Sequence, residues 1–278
     1  MDKHPIEKGI EDVVRTYELL DRIRLGRDIA IRDDQFARET LFDAARTARA
    51  RGIRVSLVDT GRFEPSDVEW LAGEKVRFYT SDEARPREAE LARILLACRR
   101  AGSYLAYFQN GPFTAVPGPG TLPLPAVEGL VSAGMDLHLS NRTTAREPGV
   151  LADLASAARA GKAFLVYYHH GPVSADLAGL AARGAWVHFS DRSLSGPGGP
   201  GIGLEVARAA RDAGSRAVVT VEKGLALADL ESLFESGAAV LFQTPPPDDA
   251  SLLRPFERKA RRRRLPARAF YLSTTFLP

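Results

Sequence analysis

Cysteine is nearly absent. Cys98 stands alone among 278 residues, which excludes a disulfide within the chain, an iron–sulfur cluster held by this chain alone and a cysteine-rich zinc site. It closes an apolar stripe at helical spacing, Leu91, Ile94, Leu95 and Cys98, so a buried structural thiol is expected rather than a nucleophile. Long apolar runs are missing as well. No stretch approaches the roughly eighteen residues that would span a bilayer, and the opening MDKHPIEKGIEDVV is too charged for a signal peptide. A cytoplasmic protein with no membrane partner is the resulting expectation. Charge of one sign is scarce: the net value is only +3, and much of the basic excess sits in one late run, FERKARRRRLPAR at 256–268, so polyanion binding by the whole surface is not implied.

What the chain does have is alternation. Residues 6–25 place Ile10, Val13, Val14, Tyr17, Leu20 and Ile23 at helical spacing, which predicts an N-terminal helix outside the main body. From Asp28 onward, short β-rich runs alternate with helical stretches, giving an N-terminal helical extension over 1–27 and a single α/β domain over 28–278. Ten strand candidates can be counted. The odd ones are IAIRDD (29–34), VRFYTSD (76–82), DLHLSN (136–141), WVHFSD (186–191) and VLFQT (240–244). The even ones are RVSLVDTG (54–61), YLAYFQNG (104–111), FLVYYHHG (164–171), AVVTVEKG (217–224) and AFYLSTT (269–275). Helices between them are expected to stop at Gly52, Gly102, Gly134, Gly161, Gly184, Gly214 and Gly237, where glycine tolerates a left-handed cap. Gly111-Pro112 recurs as Gly171-Pro172, sixty positions on. Such βαβα repeats imply parallel strands joined by right-handed crossovers.

The strand faces select the architecture. A doubly wound sheet buries both faces and reads as continuous apolar runs, but these strands alternate. One face carries Val76 and Phe78, Leu137 and Leu139, Val187 and Phe189, Val219 and Val221. The other is read as Arg77, Tyr79 and Ser81; Leu105, Tyr107 and Gln109; Asp136, His138 and Ser140; Leu165, Tyr167 and His169; Trp186, His188 and Ser190; Val218, Thr220 and Glu222. A TIM-barrel-like fold, with room for more than eight strands, is favoured over an open horseshoe, because no leucine-rich repeat signature is present.

That second face is where chemistry is expected. Tyrosines and histidines are costly to bury unless each finds a partner, and a ligand pocket at the strand C-terminal ends would supply them. An internal hydrogen-bond network is the plainer alternative. His138, His169 and His188 suit a divalent transition metal such as zinc, iron or manganese, with metal-bound water as nucleophile. The same histidines, with Glu222, could serve as acid and base without a metal. Tyr79, Tyr107, Tyr167, Gln109, Arg142 and Arg192 are the candidates for orienting substrate. Asp34, Asp59, Asp82 and Asp191 also stand at strand exits, where the structural expectation is that they cap the following helix. Asp136-Leu137-His138 resembles the Asp-x-His opening of the PHP family of metal-dependent phosphoesterases. That family has a second histidine where this chain has Ser140, so neither fold nor residues carry over.

Two further stretches remain. SLSGPGGPGIGLE (193–205) puts glycine-rich backbone at a helix start, where amide hydrogens favour an anion; a flexible lid is the other reading. The basic run containing Arg261, Arg262, Arg263 and Arg264 reads as a solvated helix face, with nucleic-acid binding as the alternative. The sequence thus points to a small-molecule hydrolase or lyase acting on an anionic ligand. A non-catalytic barrel or horseshoe that binds a ligand or protein is second, and nucleic-acid binding third.

Overall fold

Proline starts the helices and glycine ends them. A computed structural model describes residues 15–114, 122–196, 198–221 and 226–242. In chain order it contains α1 (Thr16–Arg24), β1 (Ile29–Arg32), α2 (Arg38–Arg51), β2 (Val55–Val58), α3 (Pro65–Gly73), β3 (Arg77–Ser81), α4 (Glu88–Ala101), β4 (Leu105–Gln109), α5 (Leu124–Ser132), β5 (Asp136–Ser140), α6 (Pro148–Gly161), β6 (Leu165–Tyr168), α7 (Ala175–Ala182), β7 (Trp186–Ser190), a 3-10 turn (Asp191–Leu194), α8 (Gly199–Asp212), β8 (Ala217–Val221), α9 (Leu227–Ser236) and β9 (Ala239–Phe242). Pro65, Pro125, Pro148 and Pro200 sit in first turns, where the missing N–H costs no helical bond. Gly52, Gly102 and Gly237 end α2, α4 and α9 with positive φ.

Gly161 departs from that rule. Lys162, not Gly161, takes the left-handed conformation, at φ 56°. The glycine is required for another reason: a Cβ there would lie 2.4 Å from the Val131 carbonyl oxygen and 2.6 Å from that of Ser132, so the end of α6 presses backbone to backbone on α5.

The nine described strands form one parallel sheet in the order β1 to β9. This is the sequential βα order of a TIM-barrel-like fold, with nine strands instead of eight. The tenth candidate (269–275) and the basic run at 256–268 lie outside the described residues, as does the first half of the N-terminal helix. Two compact units divide the chain. Among the described residues the first contains β1–β4, β5 as far as His138, and 160–163; the second contains Leu139–Arg159 and 164–242. Within each unit successive strands add on the same side, so right-handed crossovers put that unit's helices on one face of its strands.

In the first unit the register pairs Ala30 with Ser56, Val58 with Tyr79, and Tyr79 with Ala106. Ala30, Ser56, Val58, Tyr79, Ala106 and Phe108 therefore share one face, while Ile31, Leu57, Phe78, Thr80 and Tyr107 share the other. In the second unit Tyr168 pairs with His188, His188 with Val218, and Ser190 with Thr220. Tyr167 pairs with Val187 and so faces the opposite way from His188.

This corrects the face assignment of two strands. Tyr107 and Gln109 of β4 and Tyr167 and His169 beside β6 project to the apolar, helix-covered face, and Tyr104, Phe108, Phe164 and Tyr168 take their places opposite. A slip of one residue exchanges every side chain between faces. In LAYFQ and LVYY hydrocarbon or aromatic groups occupy both parities, so the alternation has no readable phase. The assignments on β3, β5, β7 and β8 stand.

Cys98 is fully buried, and burial pushes its thiol up to about 12, which suits packing and not attack. Among the described residues no helix is long and apolar enough to cross a membrane.

Candidate functional site at the strand ends

Several side chains at the strand exits reach sideways to a neighbouring strand or the loop after it, whereas Asp34 pairs with Arg32 of its own strand. The Asp33 carboxylate accepts the Thr60 N–H (3.1 Å) and hydroxyl (2.7 Å). Asp82 Oδ2 accepts Gln109 Nε2–H (3.1 Å) and the N–H groups of Asn110 (3.0 Å) and Gly111 (2.7 Å). Asn141 Oδ1 accepts the His170 N–H (2.7 Å), and its Nδ2 donates to the His170 carbonyl (2.9 Å). Asp59 accepts Thr80 Oγ1–H (2.8 Å) and a two-pronged grip from the buried Arg85 (2.8 and 2.9 Å), whose guanidinium also bonds Glu90 and the Phe63 carbonyl. These carboxylates are latches between adjacent strands. Asp33, Asp59 and Asp82 leave strands β1 to β3 on the helix-covered face; Asp33 and Asp82 hold backbone N–H groups of the neighbouring loop, and Asp59 chiefly holds Arg85.

His169 is committed in the same manner. Its Nε2–H donates to the Pro172 carbonyl (2.9 Å), which leaves Nδ1 to accept from Asn141 Nδ2 (3.5 Å); this tautomer is fixed by its partners. Both nitrogens being occupied, His169 offers no lone pair to a metal. His138 stacks instead on Phe108, ring centroids 4.2 Å apart. Among the described residues no three His, Cys, Asp or Glu side chains come together to hold a metal ion. The metal set of His138, His169 and His188 therefore does not fit, and Glu222 lies outside the described residues.

What remains on the polar face of the second unit is a compact constellation. His188 is buried in mid-strand, and its ring centroid lies 4.8 Å from that of Tyr168 on the adjacent strand. The Asn141 N–H donates to the Tyr168 carbonyl (3.4 Å), which sets Ser140 beside Tyr168. Ser190 and Thr220 pair one step nearer the exits of β7 and β8. Burial pushes the Tyr168 phenol well above its ordinary range, so at neutral pH it is a proton donor. Tyr168 was not among the residues picked from sequence; the doubled tyrosine at 167–168 was the available signal, read with the wrong phase.

The first unit offers a more closed version. Tyr79 and Tyr104 touch through their hydroxyls, with rings edge-on at 5.7 Å, and the Arg77 guanidinium lies 5.0 Å over the Tyr104 ring. Burial raises both phenols. Tyr79 and Ala106 are buried with Ala30 in one cluster, the satisfied internal packing that was the plainer expectation. In the second unit Arg216 covers Trp186 at 4.9 Å in like fashion.

The other sequence candidates are scattered. Arg142 and Arg192 are exposed at the exits of β5 and β7. Gln109 holds its own loop, donating to the Gly111 carbonyl (3.2 Å) as well as to Asp82. Tyr107 is fully buried on the helix side. The glycine-rich stretch has a packing role: a Cβ on Gly199 would stand 2.4 Å from the Leu194 carbonyl oxygen, and one on Gly203 2.7 Å from the Leu194 side chain.

No family model matches the chain, and no curated protein matches it significantly. Solved structures with some likeness include a deoxyribose phosphate aldolase from Aeropyrum pernix, at 15% identity over 86% of this chain and 92% of that one with a TM-score of 0.32. An HpcH/HpaI aldolase from Desulfitobacterium hafniense gives 14% over 77% and 93%, TM-score 0.39. A methylaspartate ammonia lyase from Clostridium tetanomorphum gives 13% over 92% and 58%, TM-score 0.36. These neighbours are aldolases and a lyase, but scores this low carry no argument about the reaction.

Proposed function

We propose that the protein is a small-molecule lyase or hydrolase whose acid–base pair is His188 and Tyr168. The observation that carries this reading is the buried imidazole held 4.8 Å, ring to ring, from a phenol on the same polar face. An imidazole can take a proton from a substrate hydroxyl, a C–H group or water. The phenol, kept protonated by burial, can give one to the leaving group. General acid–base catalysis of this kind contributes about 10²- to 10⁴-fold. Ser140, Ser190 and Thr220, at the open ends of the same strands, supply hydroxyls that orient a polar substrate.

The test is turnover of p-nitrophenyl esters and phosphates, hydroxy acids and hydroxy-oxo acids by the full chain. His188→Gln and Tyr168→Phe should each lower kcat by about 10²-fold or more, with the circular dichroism spectrum unchanged. Turnover within about threefold of the parent in His188→Gln would remove His188 from the chemistry. Binding of a ligand with no turnover anywhere in the panel, abolished by the same substitutions, would establish a binding protein in place of an enzyme.

A further inference from the structure

The polar face of the second unit has an end as well as a mouth. Trp186 precedes His188 by two residues on β7, so both side chains leave that strand on the same face, with Trp186 one step nearer the strand start. The register sets Val166 beside Trp186 and Tyr168 beside His188. The histidine and tyrosine therefore form one layer of side chains, and Trp186 belongs to the layer beneath it.

Trp186 is pinned in that layer. Its ring centroid lies 4.9 Å from that of Phe164, and the Arg216 guanidinium lies 4.9 Å over the indole. Only 8% of the residue is exposed. A large aromatic group held from two sides in a packed layer does not swing aside for a ligand. In the first unit the corresponding pair, Arg77 and Tyr104, lies under Tyr79, and the two phenol hydroxyls meet. In the second, what stands over the pair is His188.

Spacing sets the depth. Layers two residues apart on one face are separated by about 6.6 Å along the strand. Contact with the indole takes up about 3.7 Å of that, which leaves room for one carbon below the imidazole. Resting on the reading of His188 and Tyr168 as an acid–base pair, we propose that Trp186 is the floor of their site and the residue that sets its specificity. Substrates are those whose reacting carbon carries nothing longer than a methyl group on the side away from the strand exits. Acetyl esters meet this condition, and longer acyl chains do not.

The test gives the full chain p-nitrophenyl acetate, butyrate and hexanoate. The parent should favour acetate, and Trp186→Leu should raise kcat/KM for hexanoate relative to acetate by about tenfold or more, the worth of a methylene admitted to a pocket. Trp186→Phe, which disturbs the packing less, and Arg216→Leu, which frees the indole, should move the ratio the same way by less. A second readout needs no turnover. Trp70 and Trp186 are the two tryptophans of the chain, so in Trp70→Phe the emission reports Trp186 alone. Sodium acetate should change it saturably and sodium hexanoate should not, and adding His188→Gln should preserve that difference. Such a change without ester turnover in the parent keeps the floor and removes the catalytic reading. Turnover with the chain-length ratio within about twofold of the parent in all three variants overturns the floor. In the absence of turnover, no saturable change by acetate at about 50 mM, or an equal change by hexanoate, overturns it as well.

Discussion

The exit of β3 and β4 and the exit of β5 and β6 solve one problem with different chemistry. Each must hold a turn ending in Gly-Pro against the strand before it. In the first, Asp82 does so with charge: one carboxylate oxygen gathers three N–H donors, and Gln109 ties the turn from the other side. In the second, Asn141 and His169 stand in those positions and no charge is needed, because the carboxamide both accepts from the His170 N–H and donates to its carbonyl. The glutamine and histidine are interchangeable as donors to the following turn, which explains why a histidine there is structural.

The largest effect should come from cutting the ionic exit where it is deepest. Asp59→Ala leaves the buried Arg85 with only Glu90 and the Phe63 carbonyl, and breaking its two-pronged grip should cost about 3 kcal/mol, measurable as a shift in urea midpoint at unchanged m. No counterpart ion pair holds Asn141, so the second exit should not show a loss of this size.

Exchanging the two latches should cost less. Asp82→Asn weakens three charge-assisted bonds, and Asn141→Asp sets a carboxylate against the His170 carbonyl and the lone pair of His169. Each should cost about 1–3 kcal/mol, with denaturant unfolding as the measurement. If Asp82→Asn unfolds at the parent's midpoint, charge is not what distinguishes the exits.

Tyr107→Phe should be neutral or stabilising by up to about 1 kcal/mol, because its hydroxyl is sealed from solvent with no partner among the described residues.

Acid gives the smallest signal. Hydrogen bonding from Arg38 holds the Asp67 carboxyl below its ordinary value, so its stabilisation is complete above about pH 4 and is lost as pH falls through the lower folded value. Burial raises the Asp33 carboxyl in spite of its bonds from Thr60, so its charged form is penalised in the fold and the penalty is relieved as pH falls through the raised value. Thermal scans between pH 6 and pH 3, taken at roughly half-unit steps, should show Asp67→Asn less sensitive to acid than the parent.

Much of this was legible beforehand. The alternation of apolar strands and glycine-ended helices gives the strand order, and the stripe through Cys98 gives its burial. The phase of β4 and β6 was not legible, because Tyr107-Phe108 and Tyr167-Tyr168 put an aromatic ring on each face. That error drew Tyr107, Tyr167 and His169 into the imagined pocket and left Tyr168 out. The latches were within reach: Asp33, Asp82 and Asn141 precede Thr60, Asn110 and His170 by 27 to 29 residues, each just before a glycine. What a single sequence does not carry is the direction of a short side chain at a strand exit, which decides between capping a helix and holding a neighbour.

The latches at Asp33, Asp82 and Asn141 each close within one odd–even couple of strands. A couple that seals its own rim is a portable building block: it can be copied in tandem without leaving a frayed edge at the seam. The sixty-position echo of Gly111-Pro112 in Gly171-Pro172 is the trace that growth by whole couples would leave in the chain.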